Sequence, residues 1–329
     1  MVSILSIDGG GIRGIIPCAF LVEFEKRTGK PISELFDLIA GTSTGGILAA
    51  MLTVPDRQGR AKYTAEQVYS AYLEHGPYIF HQGPLRSVIS LRGFARPRYS
   101  PKALELMLEK YLGKARLHST LSEILVTAYD ISSSTPWFFK TSFAKKHPSP
   151  EDDPLLTQVV RATTAAPTYF PPLEMEGHCM IDGGVFAANP ALCAYAQARN
   201  MYPDEKDFLV VSLGTGEQEH ERPCSKVKNW GIAQWAAPIV TVAVNSSSAS
   251  VNYQMRALVG SENYERFQVL LDKDSAAMDD ADEKNIQRLQ NLSNAAIMGR
   301  SGSIDRLCRT LSQKDKIRPA HKIYKGSQS

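Results

Sequence analysis

The chain has 329 residues, of which 43% are hydrophobic and 22% are charged, so a disordered tail protein, a collagen-like repeat and a coiled coil are excluded. The length allows either one large α/β domain or two domains. Its 37 Lys and Arg residues against 34 Asp and Glu residues leave a net charge of +3. This charge does not predict a nucleic-acid partner, although it is compatible with weak attraction to an anionic membrane surface.

The first 52 residues contain the same local pattern twice. An apolar run over residues 2–7 predicts a strand, three glycines follow, and residues 15–27 predict a helix. A second strand is then predicted over residues 36–40, a turn over 41–45 and a helix over 46–52. Two strand–turn–helix units in succession favour a parallel sheet with crossover helices.

The next part of the chain, up to about Glu217, continues to mix helices and strands. Helices are predicted over residues 64–75, 101–112, 155–164 and 190–198, and strands over 124–129, 137–141, 178–181 and 208–213. Residues 76–99 mix Pro, Gly, aromatic and basic residues, which predicts an irregular excursion. It could be a cap, a membrane-facing loop or an ordinary solvated loop.

The remainder of the chain has a mostly helical pattern. Its acidic stretch, residues 272–283, lacks the spacing of a calcium loop and is interpreted as a solvated helix N-terminus. The last 18 residues are basic and are expected to form a frayed tail.

Residues 41–45, Gly-Thr-Ser-Thr-Gly, match the pattern G-x-S-x-G. A nucleophile raised on a sharp turn between a strand and a helix needs glycines on both sides, because side chains there would collide. Gly41 and Gly45 meet that need, and Ser43 would stand at a helix N-terminus. The alternative is a tight turn with an inert serine.

Residues 9–14, Gly-Gly-Gly-Ile-Arg-Gly, match G-x-G-x-x-G after a strand. A dinucleotide-binding turn would require an acidic residue at the end of the second strand, whereas Glu34 and Asp37 precede or begin that strand. The other interpretation is an oxyanion hole made by consecutive glycine amides. The neighbouring serine turn favours this second interpretation.

A serine nucleophile needs a base, and the order Ser…Asp…His would place a histidine late in the chain. Only His220 and His321 follow Asp182, and both lie in polar, loop-like surroundings. Asp182 itself ends a short strand, and Gly183 and Gly184 would let a hydroxyl approach it. A pocket of low dielectric constant would raise its pKa and make it a better base, although a structural turn is the alternative role.

Four motifs occur in order along the chain: Asp-Gly-Gly-Gly-Ile-Arg-Gly at 8–14, Gly-Thr-Ser-Thr-Gly at 41–45, Arg-Ala-Thr-Thr-Ala-Ala-Pro-Thr-Tyr-Phe-Pro at 161–171 and Asp-Gly-Gly-Val-Phe-Ala-Ala-Asn-Pro at 182–190. Together they resemble the patatin-like phospholipases over roughly residues 2–216, with weaker similarity over 266–285. The resemblance implies a three-layer α/β/α fold with a mainly parallel central sheet.

The resemblance also implies roles for the motif residues. Ser43 would be the nucleophile and Asp182 the base of a dyad without histidine, and three glycine amides would form the oxyanion hole. The remaining motif positions would support this arrangement, with Arg13 either touching a lipid phosphate or bracing the loop. The oxyanion glycines are Gly9, Gly10 and Gly11, and the supporting residues are Arg13, Gly14, Gly41, Gly45, Gly183 and Gly184.

The function expected from the resemblance is hydrolysis of carboxyl esters in membrane lipids, of phospholipase A or lysophospholipase type, without a metal or other cofactor. Residues 1–329 would form a single catalytic domain, with 217–329 as helical C-terminal additions. Three alternative functions remain: a signal-activated bacterial effector that degrades the cell's own membrane, a nucleotide-binding protein and a non-catalytic lipid-binding protein. A small-molecule activator and a second copy of the chain are the further partners considered.

The cellular location is predicted from features that the chain lacks. Its five cysteines are odd in number and form no Cys-x-x-Cys pair, which favours a reducing compartment over a disulfide framework or a zinc site. The N-terminus lacks the basic region of a secretory signal. The least polar stretch, residues 233–244, is shorter than the ~20 residues of a membrane-spanning helix.

These features predict a cytoplasmic protein that would meet a membrane only from its surface. The candidate docking charges are Arg86, Arg92, Arg96 and Arg98.

Overall fold

The computed structural model describes residues 1–81, 96–218 and 223–313, apart from the side chains of residues 236, 237 and 240. The strands are β1 (Val2–Ile7), β2 (Leu38–Thr42), β3 (Glu123–Asp130), β4 (Thr135–Lys140), β5 (Leu173–Met175), β6 (His178–Asp182), β7 (Phe208–Leu213) and β8 (Tyr264–Phe267). The helices are α1 (Ile15–Thr28), α2 (Ile32–Leu35), α3 (Thr44–Thr53), α4 (Ala65–Ile79), α5 (Lys102–Leu112), α6 (Thr141–Lys146), α7 (Leu156–Thr163), α8 (Gly184–Ala187), α9 (Ala191–Met201), α10 (Cys224–Val227), α11 (Ile232–Val259), α12 (Glu283–Gly299) and α13 (Ser301–Gln313).

One sheet contains all of these strands, in the order β5-β6-β3-β2-β1-β7-β8, with β4 paired to β3. The five strands from β3 to β8 in this order are parallel neighbours, whereas β4, β5 and β6 pair antiparallel. Every residue of β1, β2 and β7 is buried, as expected for parallel strands covered on both faces.

Helices cover both faces of this sheet. On one face α1, α3, α4, α12 and α13 contribute to one hydrophobic core, together with alternate residues of the strands. On the other face α9 and α11 pack over the remaining strand residues. The predicted three-layer α/β/α fold with a mainly parallel centre is confirmed.

Strands β2 and β6 meet end to end along the same edge of β3. Because β4 occupies the other edge, both must hydrogen-bond on this side. The parallel strand β2 ends with Thr42 opposite Thr127, and the antiparallel strand β6 ends with Asp182 opposite Ala128. The residues that follow or end the two strands are therefore brought together by adjacent positions of β3.

The described region after residue 217 is mostly helical, but it also contains a strand that the sequence pattern does not predict. Strand β8 pairs in parallel with β7, and its Phe267 is 1% exposed, with its ring centroid 5.1 Å from that of Phe20. Most of the acidic stretch lies in the connection between β8 and α12, residues 268–282, and α12 begins only at Glu283. Most of the expected basic tail falls on residues 314–329, outside the described part of the chain.

Helix α4 continues beyond the predicted end at residue 75. It includes Gly76 and Pro77 and ends at Ile79. Ile79 and Phe80 pack against the hydrophobic core, and this burial stabilises the additional turn. Residues 82–95 of the predicted excursion lie outside the described residues.

Candidate active site

Ser43 stands on a strained turn between β2 and α3. Its φ is 54° and its ψ is −119°, a conformation that few non-glycine residues adopt. A Cβ atom on Gly41 would collide with the backbone of Gly45, and one on Gly45 would collide with the carbonyl of Ile7. Gly41 therefore allows β2 to approach the start of α3, as the motif predicts, and Gly45 allows α3 to approach the end of β1.

Asp182 lies beside this serine at the end of β6 and is 5% exposed. Its side chain is hydrogen-bonded to Ser43, and its Oδ1 atom accepts a hydrogen bond of 2.7 Å from the Gly184 amide. Burial raises the pKa of Asp182 to about 6, although both hydrogen bonds act to lower it. The carboxylate is thus ionised at neutral pH and more basic than an ordinary aspartate.

Histidine takes no part in this arrangement within the described residues. His75, His118, His147 and His178 make their hydrogen bonds elsewhere, and none of these is with Ser43 or Asp182. The two late candidates, His220 and His321, lie outside the described residues.

The glycine loop contains two amides that are available for hydrogen bonding beside the cavity. The Gly9 amide is occupied, since it donates a 3.0 Å hydrogen bond to the carbonyl of Ala188. The amides of Gly10 and Gly11 have no hydrogen-bond partner among the described residues, and both glycines line a cavity with Ser43. This pair of N–H groups could receive a developing negative charge.

A buried ion pair holds the start of the glycine loop in place. Arg266 on β8 donates to both carboxylate oxygens of Asp8, at 2.9 and 2.6 Å, and also to the Ser212 hydroxyl at 2.8 Å. Burial acts to lower the pKa of Arg266, but Asp8 more than offsets it and the pKa is raised. The start of the loop is therefore fixed to the far edge of the sheet.

The connection of residues 268–282 covers the other side of the loop. The carbonyl of Met278 accepts a 2.9 Å hydrogen bond from the Ile12 amide. Gly11 has a φ of 60°, and a Cβ atom there would collide with the same carbonyl. A Cβ atom on Gly10 would collide with Thr215, so neither glycine can carry a side chain without movement of the loop.

Arg13 braces this covering segment. It donates a 3.1 Å hydrogen bond to the carbonyl of Ala276, does not line the cavity, and burial lowers its pKa to about 10. Of the other motif glycines, Gly14 leaves room for Thr44, and Gly183 leaves room for Thr127 on β3.

A cavity of about 400 Å³ contains Ser43, Asp182, Gly10 and Gly11. Its walls are largely apolar and come from α3, α4, α5 and the loop after α7. Six of the wall residues are Ile47, Met51, Ile79, Leu104, Met107 and Phe170. In the described part of the chain, no group of three or more His, Cys, Asp or Glu side chains is placed to hold a metal ion.

One of the four arginines that were candidates for membrane docking makes an ion pair within the fold. Arg98 is ion-paired to Asp279, which also accepts a 2.8 Å hydrogen bond from the Tyr99 hydroxyl. Arg96 is exposed, and the other two arginines lie outside the described residues. The charge of Arg98 is therefore paired within the fold.

Three supporting residues were not assigned a role from sequence. Arg266 looked like one charged residue among many, and only the weaker similarity over residues 266–285 pointed toward it. Thr163, which accepts a 2.8 Å hydrogen bond from the Ser43 amide, lies within the 161–171 motif but was not singled out. Met278 had no recognisable signal, because it acts through its carbonyl.

Comparison with known proteins gives consistent matches. A family model described as patatin-like phospholipase matches residues 5–195. The chain is 35% identical to patatin-like protein 1 of Arabidopsis thaliana, over 91% of this chain and 82% of that protein. It is 34% identical to patatin-like protein 2 of Oryza sativa subsp. indica, with coverages of 88% and 82%.

A further relative is named probable inactive patatin-3-Kuras 1, from Solanum tuberosum, and is 32% identical over 87% of this chain and 83% of its own length. Among solved structures, VipD from Legionella pneumophila aligns with a TM-score of 0.37 and 15% identity, over 90% of this chain and 67% of that one. That similarity is too low to support an argument. The family model and the curated relatives agree, and the chain belongs to the patatin-like phospholipase family.

Proposed function

We propose that the protein is a lipid acyl hydrolase of phospholipase A or lysophospholipase type, with Ser43 as nucleophile and Asp182 as base. The observation that carries the proposal is the hydrogen bond between a strained serine and a buried, basic aspartate inside a largely apolar cavity. Membership of the family does not by itself establish activity, since the name of one relative describes it as probably inactive.

The first half of the reaction forms an acyl-enzyme. The Ser43 Oγ attacks the ester carbonyl carbon while Asp182 accepts the hydroxyl proton. The carbonyl oxygen becomes an oxyanion, which the Gly10 and Gly11 amides stabilise by hydrogen bonds. When the C–O bond to the alcohol breaks, the leaving oxygen takes the proton from Asp182.

The second half releases the fatty acid. Water attacks the acyl carbon, Asp182 accepts a proton from that water, and the proton then returns to the Ser43 oxygen as the serine ester bond breaks. Every group used here belongs to the chain or to the two substrates, so we expect hydrolysis to persist in EDTA.

We assign Gly9 a spacing role, because its amide is occupied and a Cβ atom there would lie 3.3 Å from the Ser43 Cβ.

The cavity supports a lipid substrate in particular. Its largely apolar walls would contact a hydrocarbon chain and exclude water from the acyl-enzyme. We further propose that residues 1–329 act as one catalytic domain, located in the cytoplasm and bound reversibly to membrane surfaces.

The test is ester hydrolysis with phosphatidylcholine, lysophosphatidylcholine and a soluble short-chain ester. We expect Ser43→Ala and Asp182→Asn each to lower kcat at least about 10³-fold with all three substrates. Ser142→Ala is the matched control, because Ser142 is hydrogen-bonded to Glu123 away from the cavity. Retention of full activity by either dyad variant would refute the dyad.

A further inference from the structure

Helix α11 has two contrasting faces. Its inward side chains are Val244, Ser247, Val251, Met255 and Val259; Met255 is fully buried and the others are half-buried against the fold. They recur every three or four residues, which places them on one side of the helix.

The opposite side of this helix, in its first half, carries apolar side chains, although a helix side that faces water normally carries polar ones. Ile232, Trp235, Ile239 and Val242 are spaced three, four and three residues apart, and at 100° per residue they lie opposite the inward side chains. Ile232 is 92% exposed, Ile239 48% and Val242 36%. We call these four residues the outward stripe.

An aromatic pair adds to this surface. The ring of Trp235 in the outward stripe lies 5.2 Å, centroid to centroid, from that of Trp230. Tryptophan is enriched where an apolar phase meets water, because its ring is apolar and its N–H is polar.

The charge pattern around the stripe is equally unusual. No Asp, Glu, Lys or Arg occurs between Lys228 and Arg256. An outward helix face in water normally carries charged residues. Lys226 and Lys228, both exposed, lie just before the stripe, and their charge complements the phosphate groups of lipid headgroups.

The same helix also reaches the candidate active site, through its inward side. Val244, one turn or less beyond the stripe, lines the cavity, and so do Val185 and Met278, which are 49% and 40% exposed. The helix that carries the outward stripe therefore also forms part of the wall of the cavity that contains Ser43.

We propose that the outward stripe lies flat on the surface of a phospholipid bilayer and holds the catalytic domain at that surface; this inference rests on the proposed lipid substrate. The apolar half of α11, residues 232–244, is only about 20 Å long, which is too short to cross a hydrocarbon core of about 30 Å. Among the described residues, no helix has the length and hydropathy needed to cross a membrane. Binding in the plane of the interface is the mode that suits such a segment.

The experiment compares flotation of the protein with extruded vesicles of phosphatidylcholine and phosphatidylglycerol. The test variant is Ile232→Glu with Ile239→Glu, and the matched control is Met298→Glu with Ile131→Glu, whose side chains are 74% and 52% exposed elsewhere. We expect the test variant to bind vesicles at least about tenfold more weakly than the wild type. The control variant should bind like the wild type.

A soluble short-chain ester separates docking from catalysis. We expect the test variant to keep the wild-type kcat/KM on this ester while it loses hydrolysis of vesicle lipid. Equal vesicle binding by the wild type and the test variant would overturn the docking proposal, and so would absence of binding by the wild type. A wild-type dimer that becomes monomeric in the test variant would also overturn it, since the stripe would then be a contact between copies.

Failure of the proposed function has a different signature. In that case the wild type would not hydrolyse the soluble ester at all, whereas the flotation result would stand independently.

Discussion

The serine turn and the glycine loop have the same strand–turn–helix pattern, yet the fold maintains them in different ways. The serine turn is held by residues of the first half of the chain, since Gly41 approaches Gly45, Gly45 approaches the carbonyl of Ile7, and Thr163 accepts a hydrogen bond from the Ser43 amide. The glycine loop depends on distant residues: Arg266 pairs with Asp8, and Met278 accepts from Ile12. The nucleophile is thus positioned by the first half of the chain, whereas the amides proposed for the oxyanion also depend on the last third of the chain.

This difference changes how residues 217–313 should be regarded. They supply a strand of the central sheet and the segment that covers the glycine loop. A truncation after the last recognisable motif would remove these contacts and leave Asp8 buried without its partner. Substitutions in the two regions distinguish their contributions.

The largest expected effect is on the distant support. Arg266→Met leaves the Asp8 carboxylate buried and unpaired, so we expect a loss of about 3–5 kcal/mol in the free energy of unfolding. The matched control is Arg288→Met, whose partner is the exposed Asp274, with an expected loss of less than about 1 kcal/mol. Urea denaturation of both variants measures the difference, and equal losses would contradict the special role of the buried pair.

Next in size is the effect of a side chain in the glycine loop. In Gly11→Ala the new Cβ must displace either the loop or Met278, which moves the proposed oxyanion amides. We expect kcat to fall about 10²-fold while KM changes little. Gly29→Ala is the control, because it also has a positive φ but nothing lies within 4 Å of its Cβ position. An unchanged kcat in Gly11→Ala would exclude the loop from catalysis.

A smaller effect concerns the base beside the serine turn. The pKa of Asp182 is about 6 in the fold and near 3.8 in an unfolded chain, so its ionised form destabilises the fold at pH 7. Asp182→Asn should therefore raise the free energy of unfolding by about 2–3 kcal/mol at pH 7. Denaturation at pH 7 and pH 4 checks the sign, because the gain should largely disappear once the wild-type carboxyl is protonated.

The same pKa predicts the pH dependence of the reaction. Asp182 must be ionised to accept the Ser43 proton, so kcat/KM should fall as pH drops through about 6. The decrease should approach tenfold per pH unit below that value. A profile that is flat from pH 5 to pH 8 would contradict the assignment of the base.

The smallest expected effect is release of strain at the nucleophile. Ser43→Gly removes the side chain that makes a φ of 54° costly, whereas Ser43→Ala keeps a Cβ atom. We expect the glycine variant to be more stable than the alanine variant by about 1 kcal/mol. Thermal unfolding of both inactive variants makes the comparison, and the reverse order would show that the turn is unstrained.

Much of the fold could be predicted from sequence because its central strands are uninterrupted apolar runs. Residues 2–7 and 208–213 were predicted with the observed bounds, and β2 was displaced by two residues. Strand β8 could not be found, since its sequence, Tyr-Glu-Arg-Phe, carries two charges. Arg266 is buried there only because Asp8 neutralises it, and that pairing links residues far apart in the chain.

The site was predictable to the extent that its geometry is local. G-x-S-x-G indicates a turn that only glycines permit, and the structure contains that turn at Ser43. The occupied amide of Gly9 and the contact between Arg13 and Ala276 depend on backbone carbonyls, which no residue type reveals. For the same reason the approach of residues 268–282 to the glycine loop had no sequence signal.

The end-to-end meeting of β2 and β6 on β3 has a consequence for refolding. Ser43 and Asp182 are about 140 residues apart in the chain, and they come together only after β6 has paired with β3. Such pairing between distant segments is slow, whereas the local helices form early. During refolding, enzymatic activity should therefore recover later than the spectroscopic signal of the helices. Recovery of activity would indicate that the sheet is complete.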